Sequence, residues 1–154
     1  MKKMLSVARR LVGATTIGAS SVGIAFVLLQ TGQLFFSQFS VFLVTLSLII
    51  FVYGIVVGVM VLESSTNWQR WALPYWLIQL PVLYLPIVTY QIALGPYFIV
   101  FVDGTALRFN VGAGASVLFE VQSAEGTAYG VNLIAVLIVL FLVYDDRKVR
   151  NAAA

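Results

Sequence analysis

The sequence predicts an α-helical integral membrane protein: a four-helix transmembrane bundle with a small three-stranded antiparallel β-element on the extracytoplasmic side, between helices 3 and 4. Three observations lead to this fold class. Hydrophobic residues make up 61% of the 154 residues and charged residues only 10%, whereas soluble domains carry about 25% charged residues. Long stretches contain no Asp, Glu, Lys or Arg, which is typical of segments solvated by lipid. One stretch in the C-terminal half instead alternates apolar and polar residues, which is typical of β-strands.

The uncharged stretches place four transmembrane helices within a single membrane domain of residues 1–154. A helix needs about 20 residues to cross a hydrocarbon core of about 30 Å. The predicted spans cover about 11–29, 39–62, 71–94 and 127–144. Basic residues precede the first span, as in a secretory signal peptide, but Thr and Ser residues interrupt its apolar part and no small-residue cleavage pattern follows it. We therefore expect the first helix to be retained.

The Lys and Arg residues predict how the spans are oriented. If the N-terminus is cytoplasmic, the opposite side of the membrane holds only Arg108, and all the other Lys and Arg residues lie on the cytoplasmic side. This asymmetry follows the positive-inside rule. We expect a multi-pass protein of the cell (inner) membrane with both termini in the cytoplasm. The cytoplasmic cations are Lys2, Lys3, Arg9, Arg10, Arg70, Arg147, Lys148 and Arg150.

Residues 95–126 form the predicted β-element. Residues 97–102 are aromatic and β-branched, and residues 107–111 and 117–121 show a period-2 pattern, which predicts three short antiparallel strands. Asp103-Gly104 is a dipeptide favoured in two-residue hairpin turns. A second interpretation extends the third helix through 97–102, although Pro96 and the Asp-Gly turn favour strands. Because an isolated hairpin is only marginally stable in water, we expect the apolar face of the element to lie on the helix ends or on a partner.

Small residues recur at helical spacing in the first two spans. Gly18 lies in the first span, and Ser47, Gly54 and Gly58 lie in the second, where Gly54 and Gly58 form a GxxxG pattern. Lipid offers no hydrophobic drive for helix association, so small side chains that allow close backbone approach favour packing. Two interpretations remain open: these residues pack the first two helices together, or they form a face for another subunit.

Four polar residues are candidates for an intramembrane polar site. Gln79 and Tyr84 lie in the third span near three prolines, whose kinks free backbone carbonyl groups. Gln79 either lines a small polar pocket or gate, or bonds a freed carbonyl group. Gln91 and Asn132 both lie near the outer ends of their predicted spans, so we expect a hydrogen bond between them. The prolines are Pro74, Pro81 and Pro86.

The residue types that carry most enzyme chemistry are scarce. The chain has no Cys and no His, which removes thiolate nucleophiles, the commonest general base and the commonest metal ligand. No acidic or basic residue lies deep in a predicted span, which argues against proton coupling. No basic patch combines with an aromatic platform, as nucleic-acid binding requires. We expect a protein that is not an enzyme, with no cofactor, no metal and no nucleic-acid partner.

The function that these observations favour is interaction within a membrane. We expect an accessory, assembly or immunity-type subunit of a membrane complex, with membrane lipids and either other membrane protein subunits or further copies of itself as partners. The alternative is a small transporter or oligomeric pore in which the Pro-kinked third helix lines the path. A third interpretation is a lipid-binding or lipid-modifying protein that acts at the outer leaflet.

Overall fold

The computed structural model describes residues 2–31, 38–63, 67–121 and 126–153. These residues form four helices and one four-stranded antiparallel sheet. In chain order the elements are α1 (Lys2–Thr31), α2 (Gln38–Glu63), α3 (Trp68–Leu77), β1 (Pro81–Tyr84), β2 (Val88–Asp103), β3 (Ala106–Val121), β4 (Ala128–Asn132) and α4 (Leu133–Ala153).

α1 and α2 lie side by side in opposite directions and approach each other closely over glycine residues. A Cβ atom added to Gly58 would lie 2.5 Å from Cγ1 of Ile17 and 3.0 Å from the carbonyl oxygen of Gly13. Near the other end of the contact, a Cβ atom added to Gly23 would meet the ring of Phe51. Close backbone approach over small residues is typical of helix pairs that pack within membranes.

The same two helices are long and apolar enough to cross a membrane. The candidate segments are Val7–Leu29 in α1 and Val41–Glu63 in α2, each of 23 residues. At about 1.5 Å per residue, 23 residues cover about 34 Å, which exceeds a hydrocarbon core of about 30 Å. Both helices also keep large apolar side chains exposed. On α2 these are Val41, Phe42, Leu46, Ile49, Val52, Val56, Val59 and Leu62.

α3 packs on α2, and α4 packs on α3 and on β2. These contacts bring most charged residues to one end of the helices. The Tyr75 hydroxyl lies 2.9 Å from Oγ of Ser20, which joins α3 to α1. Nε2 of Gln69 donates a hydrogen bond of 2.8 Å to Oδ2 of Asp145, which joins the start of α3 to the C-terminal part of α4. We call this region the charged end. Its described members are Arg9, Arg10, Glu63, Arg70, Asp145, Asp146, Arg147 and Lys148.

The sheet is organised around a single long hairpin. β2 and β3 pair along their whole length, from Val88↔Val121 to Asp103↔Ala106. The first part of β2 pairs with β1, the last part pairs with β4, and β1 also pairs with β4. Because β1, β2 and β4 all pair with one another, the two halves of β2 must bend towards each other.

The bend lies at a pair of glycines. Gly95 and Gly114 are directly paired across the hairpin, and their φ angles are +96° and +143°. Side-chain-bearing residues rarely adopt such angles, whereas glycine does so at little cost. A Cβ atom at Gly95 would lie 3.5 Å from Cβ of Ala19, so the bend contacts the middle of α1.

Two hydrophobic clusters form the interior. The larger one lies between the helices and the first half of the hairpin, where Tyr90, Ile92 and Leu94 pack against helical residues such as Phe51 and Trp76. The smaller one is built by β1 and β2 alone. Its members are Val82, Ala93 and Ile99, with Tyr84, Tyr97 and Phe101 packed against them.

The predicted four-helix transmembrane bundle is wrong. The expected third span, 71–94, is a helix only as far as Leu77, followed by β1 and the start of β2. α3 has 10 residues, which at about 1.5 Å each reach only about 15 Å. Pro81 and Pro86 cannot continue a helix, and the segment after them alternates between two faces that are both buried. The expected fourth span, 127–144, begins as β4 and becomes helical only at Leu133.

The predicted β-element of three strands is also corrected. The sheet has four strands, of which β1 and the first half of β2 lie in the expected third span. The predicted strands 107–111 and 117–121 are parts of one continuous strand, β3, and 97–102 is the second half of β2 rather than a helix. The two-residue turn is present, but its loop residues are Gly104, with φ +61°, and Thr105.

The close packing of α1 on α2 can be tested with two matched substitutions. Gly58→Ala should lower the free energy of unfolding by about 1–3 kcal/mol, because the added methyl group meets the backbone of α1. Gly18→Ala should leave it unchanged or raise it by up to about 1 kcal/mol, since a Cβ atom there has no atom within 4 Å and alanine is the better helix former. Unfolding by a denaturing detergent, followed by circular dichroism, measures both. Equal effects of the two substitutions would contradict the packing described above.

Candidate functional site

The four polar residues expected to form one intramembrane site do not share a pocket. Gln79 is fully buried at the end of α3. Its Nε2 donates to the carbonyl oxygen of Tyr75 at 3.2 Å, and its Oε1 accepts from the backbone N–H of Leu94 at 2.8 Å. Both ends of the amide are therefore used to join the C-terminus of α3 to β2. This arrangement corresponds to the interpretation in which Gln79 bonds a backbone carbonyl group.

Asn132 lies at the junction of β4 and α4 and is also buried. Its Oδ1 accepts from the N–H groups of Ile134 and Ala135, at 3.2 and 3.5 Å, which is the action of a helix N-cap. The same atom accepts from the N–H of Phe98 at 3.4 Å. Nδ2 of Asn132 has no hydrogen-bond partner among the described residues. The expected hydrogen bond between Asn132 and Gln91 is not formed.

Together, Gln79 and Asn132 supply hydrogen bonds where β2 has no neighbouring strand on one side. β1 pairs with β2 only up to Gln91, and β4 begins to pair at Ile99. Between these points Leu94 and Phe98 direct their N–H groups to the side chains of Gln79 and Asn132. Pro96, halfway between them, has no N–H to satisfy. At the bend, two side chains therefore accept the backbone hydrogen bonds that a neighbouring strand accepts elsewhere along β2.

Tyr84 and Gln91 lie on the same face of the sheet, in a chain of hydrogen bonds across three strands. The Tyr84 hydroxyl donates to Oε1 of Gln91, and Nε2 of Gln91 lies 3.1 Å from Oγ of Ser116, to which it donates. Burial, together with the nearby Tyr97, raises the pKa of Tyr84 above its usual value. These bonds tie β1, β2 and β3 together.

The small residues of the first two helices have different surroundings. Gly54 and Gly58 face α1, and a Cβ atom at Gly54 would collide with Ser20 and Tyr75. Ser47 lines an apolar cavity of about 210 Å³ between α2 and the sheet, beside Tyr90 and Val117. Gly18 is exposed, and a Cβ atom there would meet nothing within 4 Å. Gly54 and Gly58 therefore belong to the contact between α1 and α2, and Gly18 does not. That Gly18 lies on a face for another subunit stays a prediction.

The outer half of the hairpin presents an exposed apolar surface, which we call the tip face. Val102 pairs with both Leu107 and Tyr129, and directly paired residues have their side chains on the same side of a sheet. Phe109 and Val111 follow Leu107 at every second position of β3, so they lie on that side as well. Phe109 is 59% exposed and Val111 71% exposed, and the ring of Phe109 lies 6.0 Å from that of Phe98. The tip face consists of Val102, Leu107, Phe109, Val111 and Tyr129, which are all exposed.

β3 is an edge strand next to this surface. No described strand pairs with its far side. Asp103 and Ala106 flank the two-residue loop, so they form a hydrogen-bonded pair. Along β3, every second residue from Ala106 then points its N–H and C=O groups towards β2, and the residues between point theirs away from it. Leu107, Phe109 and Val111 accordingly point their N–H and C=O groups away from β2. We call these groups the free edge.

The sequence contained part of this candidate site. Alternation had already placed Leu107, Phe109 and Val111 on one face. Val102 and Tyr129 were not connected with them, because only the pairing of β2 with β4 brings Tyr129 beside the hairpin. The described residues contain no group of three His, Cys, Asp or Glu side chains that could hold a metal ion.

Comparisons of this chain with known protein families, with curated proteins and with solved structures found no match.

Two buried glutamines provide a matched test of the bend. Gln79→Leu leaves the N–H of Leu94 and the C=O of Tyr75 without partners, so it should lower the free energy of unfolding by about 2–4 kcal/mol. Gln91→Leu affects only two hydroxyl groups, that of Tyr84, which donates to Gln91, and that of Ser116, which accepts from it. Both hydroxyl groups can rotate, whereas a backbone N–H cannot, so the effect should be smaller. Chemical unfolding of both variants gives the comparison. A larger loss in Gln91→Leu would refute the role assigned to Gln79.

Proposed function

We propose that this chain is a multi-pass membrane protein that acts by interaction, as an accessory, assembly or immunity-type subunit of a membrane complex. The observation that carries the proposal is the combination of the exposed tip face with the free edge of β3. We propose that a strand of a partner membrane protein pairs with β3 there. No enzymatic step is part of the proposal.

The membrane part of the proposal is supported by two helices and by the charges at their ends. α1 and α2 each contain a segment long and apolar enough to cross the bilayer. The charged end carries most of the described Lys and Arg residues, which favours a cytoplasmic position. α1 begins at this end and α4 ends there, so both would have their termini on the cytoplasmic side. The sheet would then lie towards the extracytoplasmic side, in the cell (inner) membrane.

The tip face and the free edge have opposite solvent requirements. In water the edge would be hydrated, but the apolar side chains of Phe109 and Val111 would remain exposed at a cost. In hydrocarbon those side chains would be solvated, but each unpaired N–H or C=O group would cost several kcal/mol. A partner strand that is apolar on the side of the tip face satisfies both requirements at once, by strand addition to a sheet edge.

Transport through the third span is not proposed. That alternative depended on a Pro-kinked helix extending from residue 71 to 94, and α3 ends at Leu77. Gln79, the residue expected to line the path, uses both ends of its amide to bond backbone groups.

Two substitutions at one position test the partner strand. Val111→Pro removes an N–H that points away from β2, and proline is tolerated at such positions of an edge strand, so the protein should still fold. Strand addition should weaken about tenfold or more, because one bond is lost and the ring hinders the incoming strand. Val111→Thr keeps the N–H and the β-branched shape and should bind normally. Benzoylphenylalanine in place of Phe109, cross-linked by light in intact membranes, reports the contact.

The controls separate loss of binding from loss of fold. Asn110→Pro removes an N–H that points towards Ile99 of β2, so it should lower the unfolding temperature, whereas Val111→Pro should not. Cross-linking that is as strong in Val111→Pro as in Val111→Thr would show that no strand pairs with the free edge. The absence of any cross-linked protein would refute the interaction function.

A further inference from the structure

A groove opens between α3 and α4 at the charged end. Its volume is about 250 Å³. The walls combine two arginines with apolar side chains from both helices. The residues that line the groove include Arg70, Leu73, Leu142, Val143, Asp146 and Arg147.

The two arginines outnumber the acidic side chains in the lining of the groove. Arg70 and Arg147 are both exposed, and Asp146 is the one carboxylate among the lining residues. Within the described part of the chain, no ion pair joins either arginine to a carboxylate. Asp145, next to Asp146 on α4, accepts a hydrogen bond from Gln69. The planar guanidinium group of arginine can donate two hydrogen bonds at once to the oxygen atoms of a phosphate group.

The remainder of the groove is apolar. Leu73 of α3 and Val143 of α4 are half-buried in its walls, and Leu142 is buried behind them. A free phosphate ion would gain nothing from this surface, whereas a hydrocarbon chain would cover it. Trp71, next to Arg70, is 53% exposed, and exposed tryptophan is typical of the depth at which lipid headgroups lie.

We propose that this groove binds an anionic phospholipid. Arg70 and Arg147 hold the headgroup phosphate, and one acyl chain runs along Leu73 and Val143. Pockets that combine basic residues with helix surfaces on the cytoplasmic side of membrane proteins suit such lipids. The proposal rests on the membrane position of α1 and α2 and is independent of the partner strand at β3.

The experiment uses the full-length protein in mild detergent. Phosphatidylglycerol or phosphatidylcholine is added, and native mass spectrometry counts the bound lipids while a thermal scan records the unfolding temperature. We expect a bound phosphatidylglycerol and a raised unfolding temperature, and neither with phosphatidylcholine. Inorganic phosphate, added alone, should have no effect. An equal response to phosphatidylcholine, or a response to inorganic phosphate as large as that to phosphatidylglycerol, would overturn the proposal.

A charge-matched pair of variants tests the location. The double variant Arg70→Gln/Arg147→Gln should bind phosphatidylglycerol at least about tenfold more weakly. Arg10→Gln/Lys148→Gln removes the same charge from the same end of the molecule, at residues that do not line the groove, and should bind as the parent does. Equal losses in the two doubles would mean that binding is only general attraction to the charged end, and would refute the groove.

Filling the groove tests the acyl-chain contact. Val143→Phe keeps both arginines and places a ring where the chain would run, so it should also reduce the bound phosphatidylglycerol. Circular dichroism shows whether each variant has kept its helices. Full binding by a folded Val143→Phe variant would refute the contact with the acyl chain.

Discussion

The hydrogen bonding of β2 at its bend is the constraint on which the rest of this structure depends. At the bend the strand leaves β1 before it reaches β4, in surroundings made largely of apolar side chains. A backbone amide left without a partner there would cost about 1–3 kcal/mol. Gln79 and Asn132 meet this requirement from the end of α3 and the start of α4. α3 is thereby fixed to the sheet at its C-terminal end and α4 at its N-terminal end.

The glycines of this chain serve two distinct kinds of contact. Gly58 allows α1 and α2 to approach until backbone meets backbone. Gly95 and Gly114 allow the hairpin to bend where it meets α1. One half of the hairpin then covers the helices, and the other half carries the tip face away from them. The division into a packed half and an exposed half follows from the position of the bend.

The sequence predicted some elements well and others not at all, for physical reasons. α1 and α2 were recognisable because uncharged runs of that length have few alternatives. Residues 88–94 resemble a transmembrane helix because no charged residue interrupts them, although Thr89 and Gln91 alternate with apolar residues as in a strand. Both faces of this part of β2 are largely buried, so the segment lacks the charged face that would mark it as a strand. Gln79 and Asn132 stood out as polar residues among apolar ones. Their partners could not be predicted, because these are backbone groups of β2 that only non-local strand pairing brings near.

The junction of β4 and α4 has a mechanical consequence. β4 ends at Asn132 and α4 begins at Leu133, with no loop between them. Asn132 caps the helix with its side chain while its own N–H is bonded to Leu80. The direction of β4 therefore sets the direction in which α4 begins. The sheet and the arginine-lined groove thus lie on one continuous segment, with β4 in the sheet and the C-terminal part of α4 in the wall of the groove.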